Sequence, residues 1–267
     1  MLQIGRATDI NFALFHWDKK QQDISCGEKN PNIKFYVIRS NNLDQGLLSL
    51  YLRGLWDINA VIAEGYTPIV DYEHSMTQYN VKFPVNGTCN AWEYYFEQPC
   101  RYTLEEVYMS KNVRLSGWKF FAAYGNRGRG LVTQEMMSRA PVKKYIYDLA
   151  CEKVKADGIY DMIGILVRGT DYVRLKPAGH AVAPTPEQAS EKLDEFLERY
   201  GKHKIFLATE DAEIYRYFVS KYGDMIYSTD KNLVDSYSGS DYISNEISVN
   251  DRYKFGLDYL VKMICLS

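Results

Sequence analysis

The sequence lacks the patterns that mark several large classes of protein. It has no long run of lysine and arginine, and its formal net charge is −2, so general electrostatic binding to nucleic acid is not expected. No apolar stretch approaches the roughly 20 residues that cross a membrane, and residues 1–20 have no continuous apolar core of a signal peptide. We therefore expect a cytoplasmic protein, with peripheral contact at the inner face of the membrane left open.

Metal-binding patterns are also missing. The five cysteines are scattered and include no CxxC pair, which argues against structural zinc and favours free thiols in a reducing compartment. A disulfide between Cys89 and Cys100 stays open. The four histidines are isolated, and the chain has no DxD string, the usual carboxylate clamp for a nucleotide-bound metal. We expect neither a metal nor a cofactor.

The sequence does contain enough apolar residues for a substantial hydrophobic core. Hydrophobic residues make up 46% of the 267 residues, a length that predicts one large domain or two small ones. The 23 tyrosines suit sugar-binding clefts, but they suit ordinary packing equally well.

The first half of the chain predicts a β-α-β unit. A short apolar strand over Lys34–Arg39 is followed by a turn and by a helix over Leu47–Glu64, which Gly65 ends. A second strand covers Thr67–Asp71. The stretch Tyr72–Arg101 is irregular and predicts a long loop, after which Leu104–Met109 predicts a short helix.

The second half alternates strands and helices, which indicates a parallel sheet covered by helices. Thr185 and Pro186 start a helix whose predicted apolar face is Ala189, Leu193, Phe196, Leu197 and Tyr200. Met162–Val167 predicts a strand buried on both faces. The remaining predictions are helices over Val132–Ala156 interrupted near Pro141, a strand over Lys204–Thr209, a helix over Asp211–Tyr222, a strand over Met225–Tyr227, a loop over Ser228–Asn250 and a helix over Asp251–Leu266.

The predicted fold class is therefore α/β, with two Rossmann-like parallel-sheet units. We place an N-terminal domain at residues 1–140 and a C-terminal domain at 141–267. Ligands of open parallel sheets bind beyond the carboxyl ends of the strands, and polar residues cluster at three such ends.

Arg168 follows the strand that ends at Val167. A planar guanidinium can make two parallel hydrogen bonds to a diphosphate, and Gly169 would allow a close approach of the ligand. Asp171, three residues on, could hold the guanidinium in place. An Arg168–Asp171 pair that only tethers a loop explains the same residues, and the two interpretations stay level at this point.

The other clusters are weaker. Asp211 in Thr209-Glu210-Asp211 can cap the following helix, or the adjacent carboxylates can bind a ribose. Asn42 and Gly46 precede a helix N-terminus, which suits anion binding but also an ordinary turn. His180 can act as a general base or lie in a surface loop without a catalytic role.

Four strings together resemble one family. Gly164–Tyr172 (GILVRGTDY) is similar to the HxRRxD region of the superfamily of α1,6-fucosyltransferases, protein O-fucosyltransferases and nodulation fucosyltransferases. FLATEDAE, which starts at Phe206, resembles its second strand end, and Asn90–Phe96 (NAWEYYF) resembles its GWE-F element. The helix Arg252–Ser267 resembles the one before the family's last donor-site strand. Bacterial surface-polysaccharide members with an RGTDY motif and a following KPxGH stretch, here Lys176–His180, are the most similar.

The resemblance implies an inverting, metal-independent glycosyltransferase of GT-B-like architecture. Its donor would be GDP-fucose and its acceptor a glycan or lipid-linked oligosaccharide of surface or exopolysaccharide synthesis. It implies Arg168, Asp171 and His180 as catalytic residues. The donor-binding residues would be Arg168, Gly169, Thr170, Asp171, Tyr172, Thr209, Glu210, Asp211, Asn42 and Gly46.

Three departures from the family's pattern weaken this expectation. Leu166 replaces the family's histidine and Gly169 its second arginine, so one positive charge is missing. The family also has a further strand after the helix that here reaches Ser267, so we expect the C-terminal domain to be incomplete. Because of these departures, a non-catalytic protein that binds nucleotide sugars or glycans is the alternative. A dehydrogenase or methyltransferase is disfavoured by the missing GxGxxG fingerprint.

Overall fold

The structure is a computed structural model that describes residues 22–40, 45–75, 77–117, 132–169, 182–229, 248–249 and 251–267. The chain divides into two units: the first comprises Met1–Lys143 and Ser248–Gly256, and the second comprises Lys144–Ile247 and Leu257–Ser267. The sequence-based boundary at 140/141 assigned Ser248–Gly256 to the second unit, whereas the structure groups this segment with the first.

The described elements alternate between strands and helices, as expected for an α/β protein. In chain order they are β1 (Gln22–Ile24), β2 (Lys29–Ile38), α1 (Leu47–Ala63), β3 (Thr67–Val70), α2 (Leu104–Val107), β4 (Ser110–Leu115), α3 (Gln134–Arg139), α4 (Lys144–Asp157), β5 (Ile163–Leu166), α5 (Pro186–Tyr200), β6 (Ile205–Ala208), α6 (Ala212–Tyr222), β7 (Ile226–Tyr227) and α7 (Arg252–Cys265).

The first unit contains a four-stranded sheet with the order β1-β4-β2-β3. Strand β2 pairs in parallel with both β3 and β4, and β1 is antiparallel to β4. Strands β2 and β3 and helix α1 confirm the predicted β-α-β unit, and Gly65 after α1 has a φ of 81° that suits glycine. The sequence did not predict β1 or β4. Strand β1 has three residues, and β4 carries its apolar residues only at Val113 and Leu115 on an otherwise polar strand.

Aromatic residues of the predicted long loop form much of the first unit's core. Trp92, Tyr94, Tyr95 and Phe96 are at most 1% exposed, and the Phe96 ring stacks on Tyr51 of α1 with centroids 4.2 Å apart. A Cβ on Gly54 would come within 2.6 Å of the Trp92 ring, so glycine lets α1 pack closely against it. The stretch that resembles the GWE-F element therefore has a packing role.

The second unit contains a three-stranded parallel sheet with the order β5-β6-β7. One face packs against α5 and α6 through a core that includes Val167, Leu193, Leu207 and Phe218. Asp211 caps α6 by accepting hydrogen bonds from the N–H groups of Glu213 and Ile214. Thr185 caps α5 in a capping box with Gln188, as predicted.

Two burial predictions for this unit are wrong. Strand β5 is not buried on both faces, because Leu166 is 42% exposed and a cavity of about 510 Å³ lies beside Gly164 and Phe206. Phe196 and Tyr200 of α5 are 43% and 57% exposed. Their rings pack on each other with centroids 4.4 Å apart, because the sheet face is already covered by Ala189, Leu193 and Leu197.

Two further properties of the structure concern membrane-spanning helices and the cysteines. Within the described part of the chain, no helix is both long and apolar enough to span a lipid bilayer. All five cysteines, including Cys89 and Cys100, are free thiols.

Candidate functional site

The carboxyl edge of the second unit's sheet brings together residues that follow β5 and β6. Val167, just after β5, donates its N–H to the carbonyl of Ala208 (3.1 Å), so the two strands stay paired up to this edge. The chain then presents Arg168 and Gly169 from one strand and Thr209, Glu210 and Asp211 from the next. In open parallel sheets this edge is where ligands bind.

Arg168 is paired with Glu210. The distance from Arg168 Nε to Glu210 Oε1 is 3.8 Å, and the two side chains are 38% and 18% exposed. The N–H of Gly169 donates a hydrogen bond of 3.3 Å to the same carboxylate. The Arg168 side chain is thus partly open to solvent. Its carboxylate partner follows the neighbouring strand β6, a pairing that the local sequence did not suggest.

The structure explains the glycine at position 169 differently from the sequence-based prediction. A Cβ at this position would lie 2.3 Å from Oδ2 of Asp211, so the space in front of Gly169 is taken by that side chain rather than kept for a ligand. Asp211 is in turn fixed by its capping bonds to α6. Thr209 is 2% exposed and accepts a hydrogen bond from the N–H of Asp211 (3.2 Å), which makes its observed role structural.

Helix α7 adds two residues that sequence reasoning missed. Burial lowers the pKa of Lys262 to about 8, and the nearby charge of Glu210 opposes this shift. Burial raises the pKa of Tyr259, while the charge of Arg168 lowers it and that of Glu210 raises it. Lys262 and Tyr259 therefore lie close enough to the Arg168–Glu210 pair to interact with it. One weak signal was available: Lys262 sits among apolar residues on α7.

The remaining predicted site residues fall into two groups. Gly46 is the N-cap of α1 in the first unit, and the N–H of Leu47 that follows it donates to the hydroxyl of Tyr79 (2.9 Å), so this N–H already has a partner. Other candidates lie outside the described residues: Asn42, Thr170, Asp171, Tyr172 and His180.

The edge thus offers two cationic groups to a ligand. Arg168 and Lys262 lie beside two carboxylates, those of Glu210 and of the helix-capping Asp211, so the formal charges of these four side chains balance when all are ionised. Within the described ranges, no group of three His, Cys, Asp or Glu side chains has the arrangement of a metal site.

The chain has few detectable similarities to known proteins. No protein-family model matches the chain, and none of the curated proteins is significantly similar to it in sequence. Among solved structures, the fold is similar to that of fucosyltransferase NodZ from Bradyrhizobium, with a TM-score of 0.47 and 13% identity over 87% of this chain and 84% of that one.

Two further structures of NodZ α-1,6-fucosyltransferase give similar values. The one soaked with GDP-fucose has a TM-score of 0.45 and 14% identity, and the one co-crystallised with GDP has 0.44 and 12%. Both matches cover 87% of this chain and 84% of the other. A structural similarity at this level does not show that two proteins share an activity. The proposed function of this protein therefore rests on the geometry of its second unit.

Proposed function

We propose that this protein is a glycosyltransferase that uses a nucleotide-sugar donor, with GDP-fucose as the donor and a glycan or lipid-linked oligosaccharide as the acceptor. The observation that carries the proposal is the pair of cationic groups, Arg168 and Lys262, around Glu210 at the carboxyl edge of a parallel sheet. The choice of fucose and of surface-polysaccharide synthesis rests on the four sequence strings.

Arg168 would bind the diphosphate of the donor. Its guanidinium can make two hydrogen bonds to phosphate oxygens, and the 38% exposure of the side chain leaves it accessible to a ligand. Glu210 would orient it from the side, as the distance of 3.8 Å indicates. As the bond from the sugar to the diphosphate breaks, negative charge grows on the leaving group, and a fixed cation stabilises that charge.

Lys262 would supply the positive charge of the family's second arginine, which Gly169 replaces in this sequence. An arginine cannot simply be restored at position 169, because any Cβ there collides with Asp211. Lys262 on α7 lies close enough to the same carboxylate to interact with its charge. With two cations on the diphosphate, the proposed reaction needs no metal. Inversion would follow from attack of the acceptor hydroxyl on the face of the sugar opposite the diphosphate.

The test is calorimetry with GDP as titrant. Arg168→Lys keeps the charge but loses the bidentate geometry. A charge-assisted hydrogen bond contributes roughly 1.5–3 kcal/mol, so affinity should fall at least about tenfold while the melting temperature stays the same. If Arg168 only tethers the loop, Arg168→Ala and Asp171→Ala will both lower thermal stability and leave GDP affinity unchanged.

A binding protein without catalysis is the second candidate. The observation that favours it is Leu166, which is 42% exposed at the position of the family's histidine. GDP-fucose binding without release of GDP, in the presence of a panel of glycan acceptors, would select this alternative.

A further inference from the structure

The sheet of the second unit has a second face, turned away from α5 and α6. Successive residues of a strand point to opposite faces of a sheet. Ile165 of β5 and Leu207 of β6 belong to the core that packs against α5 and α6, so the neighbouring Gly164 and Phe206 face the other way. A cavity of about 510 Å³ lies on that side, beside these two residues.

Helices α4 and α7 form the other walls of this cavity. Cys151 and Val154, three residues apart and therefore on one face of α4, line one side, and Cys265 and Leu266 line another from the end of α7. Leu266 packs directly on β5, since a Cβ on Gly164 would lie 2.8 Å from its side chain. All of these residues belong to the second unit, so the cavity is formed by that unit alone.

The two cysteines of the cavity lie close together. The thiol of Cys265 donates a hydrogen bond to the carbonyl oxygen of Ala150, with Sγ and oxygen 3.9 Å apart. In a trans peptide this oxygen is less than about 3 Å from the next Cα, so Sγ of Cys265 lies within about 7 Å of the Cα of Cys151. Burial raises the pKa of Cys265, and the charges of Asp157 and Cys151 raise it further while Lys153 opposes them.

This spacing and the surroundings suit a disulfide. A disulfide joins Cα atoms roughly 4.4–6.8 Å apart. Cys265 is the last residue of α7, and helix ends fray, so rotation of its side chain and a small shift of this turn can close the bridge. Both cysteines are half-buried. Tyr147 and Tyr160 beside the cavity are 56% and 72% exposed, so a small reagent can enter from solvent.

We propose that Cys151 and Cys265 are a redox-sensitive site, which a low-molecular-weight disulfide such as oxidised glutathione converts into a bridge between α4 and α7. Both cysteine S–H bonds and the S–S bond of the small disulfide break. A bond forms between the two Sγ atoms, and the two protons end on the two small thiols that leave. Two electrons thus pass from the cysteine pair to the small disulfide, and an excess of thiol reverses the reaction.

The bridge would restrict the unfolded chain more than the folded one. It closes the chain between residues 151 and 265 into a loop, and a cross-link across a long loop removes much conformational entropy from the unfolded state. Helix α7 also carries Lys262 and Tyr259, so oxidation fixes the helix that approaches the Arg168–Glu210 pair. Neither cysteine is assigned to the donor, and the inference therefore holds or fails independently of the proposed function.

Peptide mapping of the wild-type protein tests the bridge directly. The folded protein is treated with excess oxidised glutathione, its remaining thiols are alkylated, and it is digested without reduction for mass spectrometry. We expect a linked pair of peptides that contain Cys151 and Cys265, and its loss after dithiothreitol. Cys89 is exposed in the first unit and reports that the oxidant has reacted. Complete modification of Cys89, with Cys151 and Cys265 alkylated or each carrying glutathione, would overturn the proposal.

Thermal unfolding measures the effect of the bridge. The melting temperature of the oxidised wild type should exceed that of the reduced protein by at least about 4 °C. Cys151→Ser and Cys265→Ser should lose this difference, and the matched control Cys89→Ser should keep it. A difference that persists in Cys151→Ser, or that is missing in the wild type, would refute a bridge between α4 and α7. Because mapping uses the wild-type chain, it decides the proposal even where a variant does not fold.

Discussion

Single charged residues set the chemistry of the carboxyl edge of the second unit's sheet. Arg168 and Lys262 share Glu210 as a neighbour, although they are far apart in sequence. Arg168 was recognisable because it ends an apolar run. Lys262 carried only a weak signal, because its position among apolar residues of a helix does not show that its ammonium group lies near the carboxyl edge of a sheet.

If the proposed function is right, Lys262 should make nucleotide binding pH-dependent. Its pKa of about 8 means that it is mostly protonated at pH 7 and mostly neutral at pH 9.5. A bound diphosphate stabilises the protonated form, so GDP affinity should fall roughly tenfold between these pH values. Lys262→Arg stays charged throughout and should lose this fall when measured by calorimetry at both pH values. An identical pH dependence in the two proteins would remove Lys262 from the site.

Asp57 should make stability pH-dependent in the first unit. It is buried on α1, and burial raises its pKa from 3.8 to about 7, with Arg53 partly opposing the shift. Between about pH 4 and 7 the unfolded chain loses a proton that the folded protein keeps. The contribution of Asp57 is therefore fully present below pH 4 and is lost as pH rises through 7, by roughly 4 kcal/mol in total.

Urea unfolding measures this effect. Wild-type stability relative to Asp57→Asn should decrease as pH rises from 4.5 to 8, because asparagine does not titrate. A difference that stays constant over this range would mean that Asp57 is already ionised in the folded protein.

At the scale of elements, the junction of β5 and α6 depends on one glycine. Gly169→Ala would place its Cβ 2.3 Å from Oδ2 of Asp211, so the capping side chain of α6 would have to move. We expect a loss of roughly 1–3 kcal/mol in the free energy of unfolding. Gly46→Ala is the matched control: it is also at a helix N-terminus, but a Cβ there has nothing within 4 Å.

In the control, the weaker N-cap propensity of alanine and the lower entropy of the unfolded chain oppose each other, so stability should change by less than about 1 kcal/mol. Equal losses in the two variants would show that the clash is relieved at no cost, and that Gly169 is not needed for packing. Thermal unfolding followed by circular dichroism is sufficient to compare them.

For the whole molecule, the main expectation concerns metals. If two cationic side chains neutralise the diphosphate, EDTA should leave GDP affinity unchanged, and added Mn²⁺ should not increase it. Calorimetry in the presence and absence of EDTA checks this. Loss of binding with EDTA, and its recovery with Mn²⁺, would contradict the proposed mode of binding.

Much of the architecture could be predicted from periodicity and end signals. Strands β2, β3 and β6 are continuous apolar runs, and α5 begins at a Thr-Pro capping box, because these signals act between residues close in sequence. Strands β1 and β4 could not be predicted in this way. They are short or largely polar, and it is pairing with β2 and with each other that makes them strands.

The same division holds for the polar clusters at the strand ends. The sequence by itself determined that polar residues, Arg168 among them, follow β5 and β6, since strand ends are visible locally. Only the tertiary structure decided that Glu210 is the partner of Arg168, that Asp211 fills the space before Gly169, and that Asp71, His74 and Tyr108 meet in one buried cluster. Charges and hydrogen bonds depend on distances in space, and a histidine that is isolated in the sequence is oriented only when a buried carboxylate packs against it.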